Sequence, residues 1–373
     1  MDVYVMGVSM YPAADVIGDT RLEEMAYHTA RAALDDAGIA RRQIDHVTLA
    51  CSDEIDARGI SSMLLAAPSG AYLKDEMRVT DSGLTGLHLG AMRVASGHLQ
   101  LGLVVSWNQS SVSPLEDIGR MRAEPFFLRP IGLNFAMADG LFASAMAERH
   151  GITERAVAER VRLRLAAAAK NPRAVRRAVP ELDAIAASPL VAYPLRSAHR
   201  APVTDGAVAM VLASGDWVRA HPQSRPLARI AGAEWAVDRH QLDGDRLAGL
   251  DVFRATLAGV LARAGLAGVD ALDVVELEAQ SGWADIALTD VLTDVSTAAL
   301  PAGSRVAVNP SGGAWAQNPY FCTGLVHAAE AVLQVAGRAG GHQVAGARRA
   351  LAHGSSGFAQ QTHGFVVMEG VEA

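Results

Sequence analysis

The sequence predicts an α/β protein built from two similar halves, the first carrying a mostly helical insertion. Three observations point there: a helix–turn–strand pattern that occurs twice, a matched pair of glycine-led helices, and a long helical stretch without a counterpart in the second half.

The first copy of the pattern runs through Ala33-Leu34-Asp35-Asp36-Ala37-Gly38-Ile39-Ala40 to Ile44-Asp45-His46-Val47-Thr48-Leu49. The second runs through Val260-Leu261-Ala262-Arg263-Ala264-Gly265-Leu266-Ala267 to Leu272-Asp273-Val274-Val275-Glu276-Leu277. Each reads as an amphipathic helix, a short polar turn and a buried strand. Gly38 and Gly265 stand where a helix C-terminus favours a left-handed residue.

A second matched pair follows. Ser82-Gly83-Leu84 opens a helix ending at Ala95-Ser96-Gly97, and Thr323-Gly324-Leu325 opens one ending near Ala336-Gly337. Ser82 and Thr323 are expected as N-caps, and a helix N-terminus offers free backbone N–H groups. The expected halves are 1–225 and 226–373, with Ala233 to Asp245 as the linking strand and loop. The insertion covers about 123–200 and contains a helix from Glu154 to Ala169, capped by Thr153 and broken at Asn171-Pro172. Insertions of this length often carry function.

Composition narrows the class. Half of the residues are apolar and 20% are charged, as in an ordinary globular protein. The net charge of -7, with no basic run, points away from nucleic acid. Met1 to Met10 reads as a first strand rather than a signal peptide, and no apolar stretch is long enough to span a membrane. Cys51 and Cys322 are too few for a disulfide framework and lack zinc spacing, so no metal site is expected. They read as reduced thiols of a cytoplasmic protein.

Several stretches, taken in order, resemble a known family. Lys170-Asn171-Pro172-Arg173-Ala174 resembles an NPxA run. Tyr193-Pro194-Leu195-Arg196 with Val203-Thr204-Asp205-Gly206-Ala207 resembles a PLR…SDGAAA stretch. Val308-Asn309-Pro310-Ser311-Gly312-Gly313 matches VNPSGG, and Ala352-His353-Gly354 resembles a C-terminal catalytic loop. The set is similar to the thiolase superfamily, above all its sterol-carrier-protein branch, over nearly the whole chain. The resemblance implies a duplicated, five-layered αβαβα thiolase fold and a homodimer.

The departures concern chemistry. The family's nucleophilic Cys precedes its first central helix in a Cys-x-Ser-Gly pattern, and here Thr80-Asp81-Ser82-Gly83 puts Thr80 in its place. A helix N-terminus can ionise a thiol of pKa about 8.5, whereas a threonine hydroxyl needs an adjacent base. Glu278 stands where the family has Asn or His, and Gln317-Asn318-Pro319 replaces its Gly-His-Pro.

The candidate catalytic set is therefore Glu278 as general base, Asn318 as oxyanion donor, Tyr320 as acid or donor, His353 as acid/base, Ser355 beside it, and Thr80 on the substrate carbonyl. Each also has a structural reading as a cap, packed ring or ion-pair partner. The resemblance places Ser82, Ser311, Gly312, Gly313 and Cys322 along the substrate path, with the glycines letting a thioester pass close to backbone. Cys322 reads first as packing and second as a displaced nucleophile, and Cys51 follows it. Arg160, Arg162, Arg164, Lys170, Arg173, Arg176 and Arg177 crowd the insertion, either as a solvated face or as an anion-binding surface.

Three functions stay open. The first is an enzyme making or breaking a carbon–carbon bond in an acyl thioester without a cysteinyl intermediate, of aldolase, retro-aldolase or decarboxylative type. The second is an acyltransferase onto a carbon or heteroatom nucleophile. The third is a non-catalytic scaffold subunit, which Phe321 in place of a family glycine favours. The resemblance implies a CoA thioester (or acyl-carrier) substrate, no covalently bound cofactor, and a small OB-fold protein with a zinc ribbon as partner.

Overall fold

The structure, a computed structural model, describes residues 2–295 and 306–371. Its centre is a ten-stranded sheet. The strands are β1 (Val3–Met10), β2 (His46–Ala50), β3 (Asp75–Val79), β4 (Leu101–Asn108), β5 (Gly206–Ser214), β6 (Ala228–Val237), β7 (Val274–Glu276), β8 (Ala307–Val308), β9 (Arg349–Ser356) and β10 (Thr362–Gly370). Their spatial order is β8-β7-β9-β10-β6-β1-β5-β4-β2-β3. Strands β3, β2 and β4 are parallel and β5 and β1 antiparallel to their neighbours; β8, β7 and β9 are parallel and β10 and β6 antiparallel. One five-strand pattern thus occurs twice, and the two copies join where β1 pairs antiparallel with β6.

The main helices are α1 (Leu22–Ala37), α2 (Gly83–Ala95), α3 (Leu115–Arg122), α4 (Phe135–His150), α5 (Glu154–Ala168), α6 (Asp251–Arg263), α7 (Gly282–Val295) and α8 (Thr323–Val335). α1 buries Leu22, Met25, Ala26, Ala30, Ala33 and Leu34 on one stripe, the spacing of a helix lying on a sheet. Central α8 is buried at all 13 positions, as a helix enclosed by other layers must be. A single apolar cluster joins α2 and α8 to inward residues of both sheet halves, while α1 covers one outer face and α6 and α7 the other. That is the five-layered thiolase architecture.

The internal repeat extends to single hydrogen bonds. Gly38 and Gly265 both end their helices at positive φ, 64° and 69°. The Asp45 carboxylate accepts from the Gln100 and Leu101 amides at 2.7 and 2.9 Å, and Asp273 accepts from Arg348 and Arg349 at the same two distances. Each aspartate pins the start of one strand to its parallel neighbour.

Three local expectations change. Thr323 does not cap α8; Cys322 holds the cap position, and the Thr323 hydroxyl donates to Asn318 Oδ1 at 2.7 Å. The expected linking strand is present as β6 and pairs with β1 and β10, but it starts earlier, at Ala228 rather than Ala233. The insertion arginines are mostly neither solvated nor free for an anion. Arg160 and Arg164 on α5 both reach the buried Asp285 of α7 at 2.7 Å, and Arg173 pairs with the buried Glu330 at 2.6 Å. These pairs fasten the insertion to the second half. Arg162 and Lys170 do remain exposed.

Candidate active site

Where the start of α2, the segment after β7, the loop before α8 and the end of β9 converge, they enclose a cavity of about 40 Å³. Its lining includes Asp81, Ser82, Glu278, Gln280, Tyr320 and Ser355, with Phe135 and Asp139 of α4 and Arg122 of α3.

Glu278 is positioned through its neighbour. Asn309, from the VNPSGG stretch, uses its amide as a backbone surrogate: Oδ1 accepts from Leu277 N–H at 2.5 Å and Nδ2 donates to Leu277 C=O at 3.1 Å. This clamps the segment that carries Glu278 past the end of β7. The Glu278 carboxyl accepts from the Ser355 amide at 3.1 Å and from Gln280 Nε2 at 3.0 Å. Burial, aided by the nearby charge of Asp81, pushes its pKa up to about 8 against those hydrogen bonds. Asp81 is held by hydroxyls, accepting from Ser356 at 2.5 Å and from Thr85 at 2.6 Å.

The Tyr320 hydroxyl has no hydrogen-bond partner among the described residues, and its ring packs on Phe135 at 5.6 Å. Burial, then the carboxyls of Asp139 and Glu278, holds the phenol above its usual range. It therefore favours the protonated form, a hydroxyl that can donate a hydrogen bond. Ser355 presents its backbone to Glu278, and Ser82 caps α2 by accepting from Thr85 N–H at 3.2 Å.

The other expected residues lie elsewhere. Thr80 is exposed and outside the lining; Asp81, one residue on, faces the cavity instead. Asn318 is buried behind Gln280, donating to Gln280 Oε1 at 2.8 Å and to Ala201 C=O at 3.5 Å, so its amide is engaged and not free for an oxyanion. His353 lies within β9 rather than in a loop. Its ring packs among Phe253, Phe365 and His363, with Nε2 3.1 Å from His363 Nδ1. Burial and the neighbouring imidazoles hold it well below its usual pKa. The alternation of the strand explains this: Leu351 and His353 point toward α6, while Ala350 and Ala352 point toward the central layer.

Cys322 is fully buried, accepts from the Ser106 hydroxyl at 3.2 Å, and its thiol is pushed well up by burial. Cys51 is likewise buried and raised to about 11. Neither offers a thiolate or lines the cavity. Ser311 is committed to Glu276, donating its hydroxyl at 2.6 Å and its amide at 3.1 Å. A Cβ on Gly312 would meet Ala168 of α5 at 2.5 Å, and one on Gly313 would meet Asn309 at 2.8 Å. These glycines admit a neighbouring helix and a side chain, rather than a substrate.

Sequence reasoning missed Asp81, Gln280, Asp139 and Arg122. Asp81 and Gln280 sit one and two residues from positions singled out above, whereas nothing in the pattern of α3 or α4 marks Arg122 or Asp139.

A separate groove of about 730 Å³ has a lining that includes Arg176, Arg177, Arg200, Ala201 and Trp315. One backbone hydrogen bond links the two linings, from the Ala201 amide to the Gln280 carbonyl at 2.9 Å.

Comparisons with known proteins agree with this architecture. Residues 290–369 match the thiolase C-terminal domain-like family. The chain is 26% identical to the acetyl-CoA acetyltransferase of Methanothermobacter thermautotrophicus, over 95% of this chain and 96% of that protein. It is 29% identical to sterol carrier protein 2 of Gallus gallus, over 41% of this chain and 30% of that protein. Among solved structures, the Ltp2-ChsH2(DUF35) aldolase superposes with a TM-score of 0.81 at 20% identity, covering 99% of this chain and 98% of the other. Human mitochondrial 3-ketoacyl-CoA thiolase gives 0.78 at 18% identity, covering 100% and 99%. With its twofold strand pattern, its five layers and its C-terminal segment similar to the thiolase C-terminal domain, the chain has the thiolase fold.

Proposed function

We propose that this chain is an enzyme that makes or breaks a carbon–carbon bond in an acyl thioester by proton transfer, with no cysteinyl acyl-enzyme. The observation that carries the reading is the lining of the cavity: a carboxyl held near pH 8 and a free phenol converge there, while both thiols and His353 are buried elsewhere.

In the cleavage direction, ionised Glu278 takes the proton of a β-hydroxyl. The O–H electron pair becomes a new C=O bond, the Cα–Cβ bond breaks, and its electrons pass to Cα and the thioester carbonyl. The Tyr320 hydroxyl donates to the oxygen on which charge develops. Aldol addition is the reverse, and a decarboxylative variant reaches the same enolate by loss of CO₂. Of the groove's arginines, the exposed Arg177 suits the anionic end of a CoA thioester, while Arg176 and Arg200 are already paired with Asp15 and Glu116.

The assembly we propose is a homodimer with a small OB-fold zinc-ribbon partner. Supporting it are the free outer edge of β3, the exposed Met63, Tyr72 and Leu73, the exposed Phe126 and Phe127, and the DUF35 component in the name of the similar aldolase. The two buried, unpaired thiols fit a reducing compartment such as the cytoplasm.

Two observations favour other readings. Similarity to an acetyltransferase along the whole chain favours acyl transfer, and Phe321 in a cavity of only about 40 Å³ favours a scaffold. One experiment separates the three. The protein, with and without its partner, is incubated with acyl-CoA and β-hydroxyacyl-CoA esters, and products and intact protein mass are followed by mass spectrometry. Cleavage without a covalent adduct, lost in Glu278→Gln, is expected. An acyl adduct on Cys322 or Cys51 would restore acyl transfer. A stable complex with the partner but no turnover would leave the scaffold.

A further inference from the structure

The cavity holds a carboxyl that the mechanism above does not use. Asp139 lies on α4, its side chain in the same lining as Glu278 and Tyr320. It comes from a different element than Glu278, and Tyr320 feels the charge of both. The carboxyl of Asp139 makes no hydrogen bond to any described residue. The charged groups near it are Arg200 and Glu116, which pair with each other at 2.9 Å, and Glu116 also accepts from the Ala136 amide at 3.0 Å. Asp139 is thus half-buried with its local cation already engaged, and burial raises its pKa to about 7. A half-buried carboxyl without a protein partner, lining the cavity beside Glu278 and Tyr320, is free to exchange a proton with what enters it.

Cleavage of a β-hydroxyacyl thioester requires two proton transfers at separate atoms, one from the β-oxygen and one to the α-carbon. A single carboxyl would have to serve both positions. We propose that Asp139 is the second proton-transfer residue of this site, delivering the proton to the α-carbon while Glu278 serves the β-oxygen; this rests on the carbon–carbon bond reading above.

The step balances. The reacting form has Glu278 ionised and Asp139 neutral, which is the less populated of the two singly protonated forms because Glu278 holds its proton more tightly. Glu278 takes the β-hydroxyl proton as the Cα–Cβ bond breaks. The enolate double bond then takes the Asp139 proton to form Cα–H, the thioester C=O is restored, and Asp139 is left ionised. Exchange with solvent after product release returns each group to its starting state.

The test uses the half-reaction at the α-carbon. The full-length protein is incubated in D₂O with acetyl-CoA and with propanoyl-CoA, and α-deuteration is followed by mass spectrometry for wild type, Asp139→Asn and Glu278→Gln. Cleavage of β-hydroxyacyl-CoA esters is measured in parallel. Asp139→Asn is expected to lose exchange by about 100-fold or more, while Glu278→Gln, which loses cleavage, loses at least about tenfold less exchange than Asp139→Asn. Asp139→Ser, smaller and also neutral, serves if the Asn variant is misfolded. Exchange at the wild-type rate in either Asp139 variant, from an enzyme that still cleaves, overturns the assignment alone. A wild type that neither cleaves nor exchanges overturns the underlying function reading, and the assignment with it.

Discussion

Replacing Glu278 by Gln should raise stability while abolishing turnover, and the size of the effect follows from its burial. The group is 3% exposed and its pKa is held at about 8, against 4.5 for an ordinary glutamate. Between those two values the folded protein keeps a proton that the unfolded chain has released. Its contribution is therefore intact below about pH 4.5 and declines as pH rises toward 8. At about 1.4 kcal/mol per tenfold change in proton binding, wild type forfeits roughly 1 kcal/mol at pH 5, roughly 3 at pH 7 and roughly 4 at pH 8. Gln is isosteric and neutral at every pH, so it carries none of this penalty. It keeps an acceptor for the Ser355 amide but loses one for Gln280, a cost of about 1–2 kcal/mol. The two proteins should be near parity at pH 5, with the variant ahead by about 2–3 kcal/mol at pH 8. Thermal midpoints at one fixed scan rate across this range are the assay, since other titrating groups cancel in the difference. At about 2 °C per kcal/mol the gap should widen by roughly 6 °C. A gap independent of pH, or a variant less stable at pH 8, would refute the claim that burial keeps this carboxyl protonated. In the same variant, carbon–carbon cleavage should fall by about 100- to 10,000-fold.

Other expectations follow from the same geometry. With wild type, kcat/KM for cleavage should follow a bell, rising to a maximum between about pH 7 and 8 and falling above it, because Glu278 must be ionised while Asp139 keeps its proton. Tyr320→Phe removes a hydroxyl without a protein partner, so kcat should drop by about 100-fold while the melting midpoint stays put. Cys322→Ser and Cys51→Ser should keep turnover within about threefold, and alkylating reagents should label neither native thiol quickly; rapid labelling with loss of activity would reinstate a nucleophile. Asp285→Asn leaves Arg164 and Arg160 short of their counter-charge and should cost about 3–5 kcal/mol in denaturant unfolding. A loss below about 1 kcal/mol would show that water reaches this pair.

Much of the site's neighbourhood could be read from the chain, but less of its chemistry. Glu278, Tyr320, Ser355 and Ser82 line the cavity. Each lies in or beside a loop whose glycine and proline pattern marks it locally. Thr80 and His353 stand at family positions, yet one faces solvent and the other packs on Phe253. Along a strand, a one-residue step reverses the face, and alignment to a motif does not say which face a substituted residue takes. Asn318 has the right chemistry for an oxyanion, but Gln280 and Ala201 occupy its donors. Asp139 belongs to an insertion helix with no distinguishing pattern, and only the docking of α4 over the cavity gives it a place.

By itself the sequence determined the duplicated α/β plan, the left-handed helix ends at Gly38 and Gly265, the α5 helix behind Thr153 and the identity of the converging loops. All of these rest on periodicity, caps and turns spanning a few residues. The tertiary structure alone decided which side chains share the cavity, which arginines are committed to buried carboxylates, and that Glu278 sits near pH 8 while both thiols stay neutral. Those properties depend on desolvation and on partners distant in the chain, such as Asp81 and Ser356, 275 residues apart, and such terms arise only when distant segments pack.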